Sequence, residues 1–320
     1  KKSPSVQEVK QRKLPFKNTG SFDILCPKNY GSPGFPMRSA IEREVRQKLA
    51  EDIRIAILGA GNIGTSIAKG LARGEHFSPG RITLTRRRLH LLEDFRAQGF
   101  EVTSDNLAAV RGADVVIISV EPQLVDTLLK EIAPVLDFDR HILISVVTGL
   151  TLRRIEEVIG KPVRIARAMP NTAIAVRESM TCIASNGPDD RALDMARLIF
   201  NDVGKTLRIR EEDMIAATAL GACGIAFFLR AIRAASQGGI EIGLSAKNSL
   251  AMAVQTAKGA ACLLSVSGSH PENEIDKVTT PKGCTISGLN RMEHEGFSSA
   301  MIRGITVSAE QASKLYCDKC

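Results

Sequence analysis

The sequence of 320 residues predicts an α/β fold in which a domain with a parallel sheet is followed by an all-helical domain. Two observations support this prediction. Between residues 52 and 210, short apolar segments alternate with amphipathic ones, as strands and crossover helices do in a parallel sheet. From residue 211 onward the strand pattern stops, and long segments rich in Ala, Gly and Ser remain. We therefore predict a basic, proline-containing N-terminal extension (1–51), a sheet domain (52–210) and a helical domain (211–320).

Within the sheet domain, six apolar segments have the length and composition of buried strands. A continuous apolar run such as 113–120 is typical of a parallel strand that is covered on both faces. The predicted strands are 53–58, 81–85, 113–120, 141–147, 163–168 and 180–184, and the predicted helices between and after them are 67–72, 89–98, 124–136, 152–159 and 192–200.

Five helices are predicted in the second half of the chain, and one short helix in the N-terminal extension. The small side chains of the second half allow helices to approach closely, which suits an intertwined dimer. The predicted helices are 212–238, 245–265, 272–278, 286–294 and 297–315, with 39–50 in the extension.

Charge and composition exclude several classes of partner. Residues 1–50 hold 11 Lys or Arg against 4 Asp or Glu, so most of the net charge of +8 lies there and the rest of the chain is nearly neutral. With 13 aromatic residues and no Trp, the chain also lacks platforms for stacking bases, and we expect no nucleic-acid partner. No uninterrupted apolar run approaches the roughly 18 residues of a membrane span, so we expect no membrane partner.

The seven cysteines are scattered, and the N-terminal residues show no apolar signal segment, so the sequence predicts a reducing, cytoplasmic location. The pair Cys317 and Cys320 is predicted to have no function, because a zinc site needs more ligands. The five histidines show no spacing typical of metal ligands, and we predict no metal site.

The first predicted strand ends in Gly59-Ala60-Gly61-Asn62-Ile63-Gly64, which fits the pattern G-x-G-x-x-G. The first glycine of this pattern permits a tight turn, the second lets the backbone approach a pyrophosphate, and the third lets the helix pack on the strand. N–H groups at the start of the helix then point at the phosphates. The sequence therefore predicts a Rossmann-type dinucleotide site at Gly59, Gly61, Asn62, Ile63 and Gly64, with a purely structural turn as the alternative.

The end of the second predicted strand indicates which dinucleotide is bound. NAD-binding domains usually carry Asp or Glu there, for the ribose hydroxyls, whereas this chain has Arg86, Arg87 and Arg88. Guanidinium groups suit a 2′-phosphate, so we predict that Arg86 and Arg87 bind it and that NADP(H) is preferred, with NAD(H) possible. A solvated basic start of a helix is the alternative, although cations are unfavourable at that end of a helix.

A third segment lies far along the chain, where Val278-Thr279-Thr280-Pro281-Lys282-Gly283-Cys284-Thr285 leads into a predicted helix. Hydroxyls and free backbone N–H groups at the start of a helix suit a small carboxylate. Threonine-rich helix caps without a ligand are also common, so these residues taken alone leave both interpretations open.

This third segment, with Met292-Glu293 and Gly296-Phe297 behind it, closely resembles the signature of the pyrroline-5-carboxylate reductase family. Segments 120–123, 167–172 and 238–244 resemble family motifs in the same order along the chain, so that the resemblance covers about residues 53–315. It implies NADPH-dependent reduction of a cyclic imine carboxylate, 1-pyrroline-5-carboxylate, to L-proline, the final step of proline biosynthesis. It also implies a dimer or higher homo-oligomer formed through the helical domain.

The resemblance further implies roles for individual residues. Thr285 matches the threonine whose hydroxyl binds the imine nitrogen, and it is the predicted catalytic residue. The predicted substrate-binding residues are Val278, Thr280, Gly283, Cys284 and Thr285, and the residues predicted along the cofactor, beyond those already named, are Asn106, Ser119, Val120, Pro122, Val147, Met169 and Asn171. Among these, Asn106 matches a residue near the adenosine ribose, and Met169 and Asn171 match residues beside the nicotinamide.

Several positions depart from the family pattern. Glu121 stands where lysine is usual, Ala173 where proline is usual and Lys282 where glycine is usual, and LGACGIA at 220–226 replaces LSGSGPA. These departures leave room for a paralogous reductase of another cyclic imine.

Two other classes of protein remain open from the sequence. A β-hydroxyacid dehydrogenase shares the layout but needs a helical lysine in the spacing G-x-x-x-K-x-x-x-N, which neither Lys247 nor Lys258 has. A non-catalytic NADP(H) sensor is the second, and only the departures at 220–226 and Lys282 support it.

Overall fold

A computed structural model describes residues 52–74, 76–185 and 191–315 of the chain. The N-terminal extension with its predicted helix at 39–50 lies outside the described residues, and so does the pair Cys317 and Cys320. Eight strands are present in the described part: β1 (Ile55–Leu58), β2 (Ile82–Thr85), β3 (Glu101–Thr103), β4 (Val115–Ile118), β5 (Ile142–Ser145), β6 (Arg164–Met169), β7 (Ser179–Ser185) and β8 (Gly204–Arg208).

The strands form one sheet in the order β3-β2-β1-β4-β5-β6-β7-β8. From β3 to β6 all pairs are parallel, and this order is that of a doubly wound dinucleotide-binding sheet. The predicted Rossmann-type sheet is therefore confirmed. Strand β7, however, runs antiparallel to β6. The connection between them holds only the short 3₁₀ segment Thr172–Val176, whereas a parallel crossover needs a dozen residues or more.

Twelve α-helices accompany the sheet in the described residues. They are α1 (Asn62–Ala72), α2 (Glu93–Ala97), α3 (Asn106–Gly112), α4 (Val125–Ile132), α5 (Leu152–Ile159), α6 (Arg191–Asn201), α7 (Met214–Ala217), α8 (Gly224–Glu241), α9 (Ala246–Ser267), α10 (Pro271–Val278), α11 (Cys284–His294) and α12 (Phe297–Lys314). Short 3₁₀ segments lie at Pro79–Arg81, Leu89–Leu92, Pro122–Leu124, Ala133–Val135, Thr172–Val176 and Glu211–Asp213, and a π-helical turn at Thr218–Cys223.

Three elements escaped the sequence prediction, and each is short. Strand β3 has three residues and begins with the exposed Glu101, and β8 exposes Lys205 and Arg208, so neither shows an apolar run. Helix α3 has only seven residues. The helix predicted over 212–238 is divided by the π-helical turn, and that predicted over 89–98 is a 3₁₀ turn followed by α2.

The core lies on both faces of the sheet because alternate residues of each buried strand point to opposite sides. Ile55 and Ile57 of β1 belong to one cluster, with residues of α1 and α6, while Ala56 and Leu58 belong to a second cluster, with residues of α4 and α5. Coverage of both faces explains why the strands read as continuous apolar runs.

An ion pair between a buried arginine and a half-buried glutamate connects the sheet to the start of the helical half. The Arg167 guanidinium of β6 is almost fully buried and donates to Oε1 of Glu211 at 3.1 Å. The same oxygen accepts the backbone N–H of Leu152 at 2.7 Å. Burial lowers the pKa of Arg167 and the bond to Glu211 opposes that shift, so the carboxylate offsets part of the cost of burying this cation.

His141 predicts how stability depends on pH. It is 2% exposed; its Nδ1 accepts the Asp137 N–H at 2.8 Å and its Nε2 donates to the Val110 carbonyl at 3.1 Å, so the ring is neutral. Burial lowers the pKa of His141 below its ordinary value of 6.5. The unfolded chain therefore binds more protons at acidic pH, and the free energy of unfolding should fall as pH drops below about 6.5.

Denaturant unfolding at about pH 7.5 and about pH 5.5 checks this expectation against His141→Asn. The asparagine keeps an acceptor for the Asp137 N–H but does not titrate. The variant should be less stable at the higher pH and should lose less stability on acidification. An equal loss in both proteins would show that other groups govern the pH dependence.

The helical half exposes apolar side chains along its two longest helices. Phe228 and Leu229 of α8 and Leu250, Met252 and Leu263 of α9 are each at least half exposed. By length and composition alone, the stretches Glu211–Glu241 and Ala246–Ser267 could cross a membrane. Neither stretch is an uninterrupted apolar run, which is why the sequence did not indicate them, and the absence of a membrane partner stays a prediction.

Candidate active site

Two of the three glycines in the turn after β1 have a steric reason, and the third does not. Gly59 has a φ of +91°, and a Cβ there would lie 2.6 Å from Cγ1 of Val120. A Cβ on Gly64 would lie 2.7 Å from the Gly59 carbonyl oxygen, so only glycine lets α1 pack this closely on the turn. A Cβ on Gly61 would meet no atom within 4 Å. The fold therefore requires Gly59 and Gly64, whereas the space beside Gly61 is open.

Ser119 and Val120 follow β4 and contact the glycine turn. Oγ of Ser119 donates to the Gly59 carbonyl at 2.7 Å, and the Ser119 N–H donates to the Leu58 carbonyl at 2.8 Å. The turn thus lies between the ends of β1 and β4, where the strand order reverses. Ligands of doubly wound sheets bind at this switch point.

The two predicted phosphate-binding arginines differ in their surroundings. Arg86 is half-buried, and its guanidinium donates to the Ala60 carbonyl inside the glycine turn at 3.0 Å. Arg87 is exposed. Arg86 therefore supports the glycine turn in addition to any role toward a ligand. The sequence indicated the ligand role but not this support of the turn.

The other predicted cofactor residues lie at the same edge of the sheet. Asn106 follows β3 and donates from Nδ2 to the Glu131 carboxylate at 3.2 and 3.3 Å. Pro122 opens the 3₁₀ segment after β4, and Val147 follows β5 and is 3% exposed. All the predicted cofactor residues therefore follow the carboxyl ends of β1 to β6 or complete the last of them, and the fold brings them to one edge.

Met169 and Asn171 connect this edge to the helical half. Met169 ends β6 and packs in a small buried cluster with Met214. Asn171 is 8% exposed, and its Nδ2 donates to the Gly221 carbonyl of the π-helical turn at 3.1 Å.

A cavity of about 280 Å³ lies beside the π-helical turn. Its polar lining comes from Thr148 after β5, from Thr218 and Cys223 of the turn, and from Ser308 and Gln311 of α12. Of these residues the sequence predicted only Thr148, within the segment 146–148 that resembles the family's wall along the cofactor. Cys223 lies in the segment that departs from the family pattern, which was the one available signal.

The predicted substrate loop lies between α10 and α11. Gly283 is the N-cap of α11, and no side chain caps that helix end. Thr280 and Cys284 are exposed and Thr285 is half-buried in the first turn of α11. A Cβ on Gly283 would lie 2.9 Å from the Thr280 carbonyl oxygen, a backbone atom, and 2.4 Å from Oγ1 of Thr280, so the loop needs glycine there.

Lys282 adopts a φ of +60°, a conformation that favours glycine. The main packing partner of α11 in the described residues is α12 rather than a strand of the sheet. The single chain thus does not show the loop closed over the carboxyl edge.

Comparison with known proteins identifies this arrangement. Residues 211–315 match the family model described as pyrroline-5-carboxylate reductase dimerisation, and residues 54–149 match that described as NADP oxidoreductase coenzyme F420-dependent. The chain is 46% identical over 286 residues to pyrroline-5-carboxylate reductase 2 of Dictyostelium discoideum, covering 84% of this chain and 95% of that protein. The chain belongs to the pyrroline-5-carboxylate reductase family.

Further members of the pyrroline-5-carboxylate reductase family are also similar to this chain in sequence or structure. Pyrroline-5-carboxylate reductase 1 of Dictyostelium discoideum is 49% identical over 280 residues, which are 84% of this chain but only about half (51%) of that relative. The crystal structure of Plasmodium falciparum pyrroline carboxylate reductase with NADP bound superposes with a TM-score of 0.75 at 25% identity, covering 83% of this chain and 99% of that one. The structure of a pyrroline-5-carboxylate reductase from Coxiella burnetii superposes with a TM-score of 0.74 at 29% identity, covering 82% of this chain and 98% of that one.

Membership in the pyrroline-5-carboxylate reductase family also explains the exposed apolar helices. The matched dimerisation region includes α8 and α9, so self-association accounts for the apolar surface that these helices present. Among the described residues, no group of three or more His, Cys, Asp or Glu side chains is placed to hold a metal ion.

Proposed function

We propose that this chain reduces 1-pyrroline-5-carboxylate to L-proline with NADPH as the hydride source. The observation that carries the proposal is the convergence of the glycine turn, Ser119, Val147 and Asn171 at one edge of the sheet, in a chain that also carries the family's substrate loop. The proposal divides the chain at about residue 210 into a dinucleotide-binding part and a substrate-binding part. A cytoplasmic location remains a prediction.

The glycine turn fits the dinucleotide. The open space at Gly61 and the uncapped start of α1 leave room and N–H donors for a pyrophosphate. Asn62, Ile63 and Gly64 supply backbone N–H groups in this first turn, and the exposed Arg87 binds the 2′-phosphate. The bound cofactor supplies the hydride; the residues of the chain bind it, orient it and shape the space beside it.

The substrate loop is suited to a carboxylate and an imine nitrogen. The Cys284 N–H lies at the uncapped start of α11, where an anion is favoured, and Val278 and Thr280 border the same loop. The Gly283 N–H donates to the Thr280 carbonyl at 2.9 Å in the single chain, so it must exchange that bond to bind a carboxylate. Thr285 lies in the first turn of that helix and presents a hydroxyl. The hydroxyl stabilises the imine nitrogen as its basicity rises during reduction, directly or through a water molecule.

A second copy of the chain completes the site in this proposal. Val278 is 60% exposed and Thr280 and Cys284 are also exposed, so the loop of a single chain cannot exclude water. The exposed apolar faces of α8 and α9 provide the surface through which a dimer or a higher homo-oligomer forms.

The experiment is a cofactor-oxidation assay with the purified chain. Absorbance at the reduced-nicotinamide band should fall when 1-pyrroline-5-carboxylate and NADPH are both present, with proline as the product. Related cyclic imines and β-hydroxyacids (the latter with NADP⁺) test the other catalytic classes. Binding of NADPH without turnover of any substrate would identify a sensor and refute the proposal.

The arginines after β2 predict which cofactor is preferred. Arg87→Ala should raise the KM for NADPH about tenfold to a hundredfold and leave the KM for NADH unchanged, because one charge-assisted bond to the 2′-phosphate is lost. Arg86→Ala should weaken both cofactors, because its guanidinium also holds the Ala60 carbonyl. Steady-state kinetics with both dinucleotides check this, and equal losses for NADPH and NADH in Arg87→Ala would contradict a 2′-phosphate contact.

A further inference from the structure

The π-helical turn Thr218–Cys223 is an irregular element in the middle of a long helical stretch. Such turns are rare, and they occur mostly as single-turn insertions, often at functional sites. Where the bonding pattern changes from i→i+4 to i→i+5, a donor from another element can bind a carbonyl of the turn and favour this conformation over the regular helix. Oγ1 of Thr218 donates to the Met214 carbonyl at 2.7 Å, but this bond lies within the same stretch.

Asn171 supplies a bond from outside the stretch. Its Nδ2 donates to the Gly221 carbonyl at 3.1 Å, and its Oδ1 accepts the Ala173 N–H at 3.0 Å. Its own backbone N–H donates to Oγ of Ser179 at 3.1 Å. The carboxamide therefore joins the partly exposed Gly221 of the π-helical turn to the buried segment that follows β6.

The π-helical turn is one wall of the 280 Å³ cavity. Thr218, Ala222 and Cys223 line it on one side, and Thr148 lies at the carboxyl end of β5 on another. The carboxyl ends of β5 and β6 belong to the second mononucleotide half of a doubly wound sheet, which lies on the far side of the switch point from β2 and β3. A shift of the turn would change the shape of this cavity.

We propose that Asn171 is a positioning residue that fixes the π-helical turn, and with it the wall of the cavity, for the imine reduction. This inference rests on the proposed function, because it takes the cavity as part of the active site. It differs from the role implied by resemblance, in which Asn171 lies against the nicotinamide. The carboxamide acts through the Gly221 carbonyl, so its loss should affect the reaction and the order of the turn more than the affinity for the dinucleotide.

Asn171→Ser is the test variant. Serine at this position keeps a side-chain oxygen for the Ala173 N–H, as N-cap serines do, but is too short to reach Gly221. Hydrogen–deuterium exchange of the ligand-free protein should show faster exchange, about tenfold or more, in peptides that contain residues 218–224. The kcat/KM for the imine should fall about tenfold to a hundredfold, and the Kd for NADPH should change less than about threefold.

Two further variants make the result specific. Asn171→Asp keeps the size and the acceptor and removes the donor to Gly221; at about pH 8, where the carboxylate is ionised, it also places a negative charge beside that carbonyl, so it should produce both effects at least as strongly as Asn171→Ser. Ser179→Ala disturbs the same connection through the Asn171 N–H and leaves the carboxamide in place, so exchange in 218–224 should remain as in the unmodified chain.

Three outcomes would overturn the inference. Unchanged exchange with a large rise in the Kd for NADPH would make Asn171 a direct cofactor ligand. If exchange in 218–224 is accelerated equally in Ser179→Ala, the effect comes from a general loss of order around β6 and not from the carboxamide. If exchange and kinetics are unchanged in both Asn171 variants, the hydrogen bond from Asn171 to Gly221 has no role in the reaction. If the unmodified chain does not reduce the imine, the proposed function fails, while the exchange data still show whether Asn171 holds the turn.

Discussion

Thr285→Ala is expected to lower kcat/KM for 1-pyrroline-5-carboxylate by about one to three orders of magnitude, the range for losing one general-acid or charge-stabilising group. The imine nitrogen becomes more basic as the carbon beside it is reduced, so a hydroxyl that donates to it stabilises the transition state more than the ground state. Thr285 lies in the first turn of α11, next to the N–H groups proposed for the carboxylate.

Steady-state kinetics and NADPH binding, measured on the same preparations, separate this role from a general loss of structure. Thr285→Ser keeps the hydroxyl and should retain most of the activity, whereas Thr285→Val keeps the shape and should resemble alanine. The Kd for NADPH should be the same in all of them, because the glycine turn and Arg87 lie in the other half of the chain. Turnover unchanged in Thr285→Ala would remove this residue from the mechanism.

The sequence was sufficient for the parts of the fold that depend on local chemistry. The strand 55–58 and the glycines after it could be predicted, because a tight turn, a close approach and a helix start each require a particular residue type at a fixed spacing. The helices of the second half could be predicted from their composition. The cofactor residues implied by resemblance lie together at the carboxyl edge of the sheet, because each of them follows or ends one of the parallel strands β1 to β6.

The sequence was not sufficient where tertiary contacts decide the conformation. The reversal of β7 follows from the length of one connection, and the edge strand β8 exposes charged side chains that hide its pattern. The π-helical turn depends on Asn171, which lies 50 residues before Gly221 in the chain. Arg86 was predicted for its charge, but its bond to Ala60 can be seen only when β1 and β2 are placed side by side.

The contrast between Gly61 and Gly64 predicts the second large effect. Gly61 has a φ of −85°, which alanine adopts readily, and its added Cβ would meet no protein atom within 4 Å. Gly61→Ala should therefore cost less than about 1 kcal/mol of unfolding free energy, the scale of helix-cap substitutions. The Cβ would instead occupy the space where the pyrophosphate approaches, so the Kd for NADPH should rise at least tenfold, or about 1.4 kcal/mol.

Gly64→Ala is the matched control, with the same atom added one helical turn further on. Its Cβ would lie 2.6 Å from Oγ of Ser119 and 2.7 Å from the Gly59 carbonyl, a backbone atom that cannot move aside. We expect it to lose about 1–3 kcal/mol of unfolding free energy through overpacking. Denaturant unfolding and NADPH titration of both variants thus distinguish the two roles of glycine in one turn. Gly61→Ala that binds NADPH as tightly as the unmodified chain would mean that the open space at Gly61 is not where the dinucleotide binds.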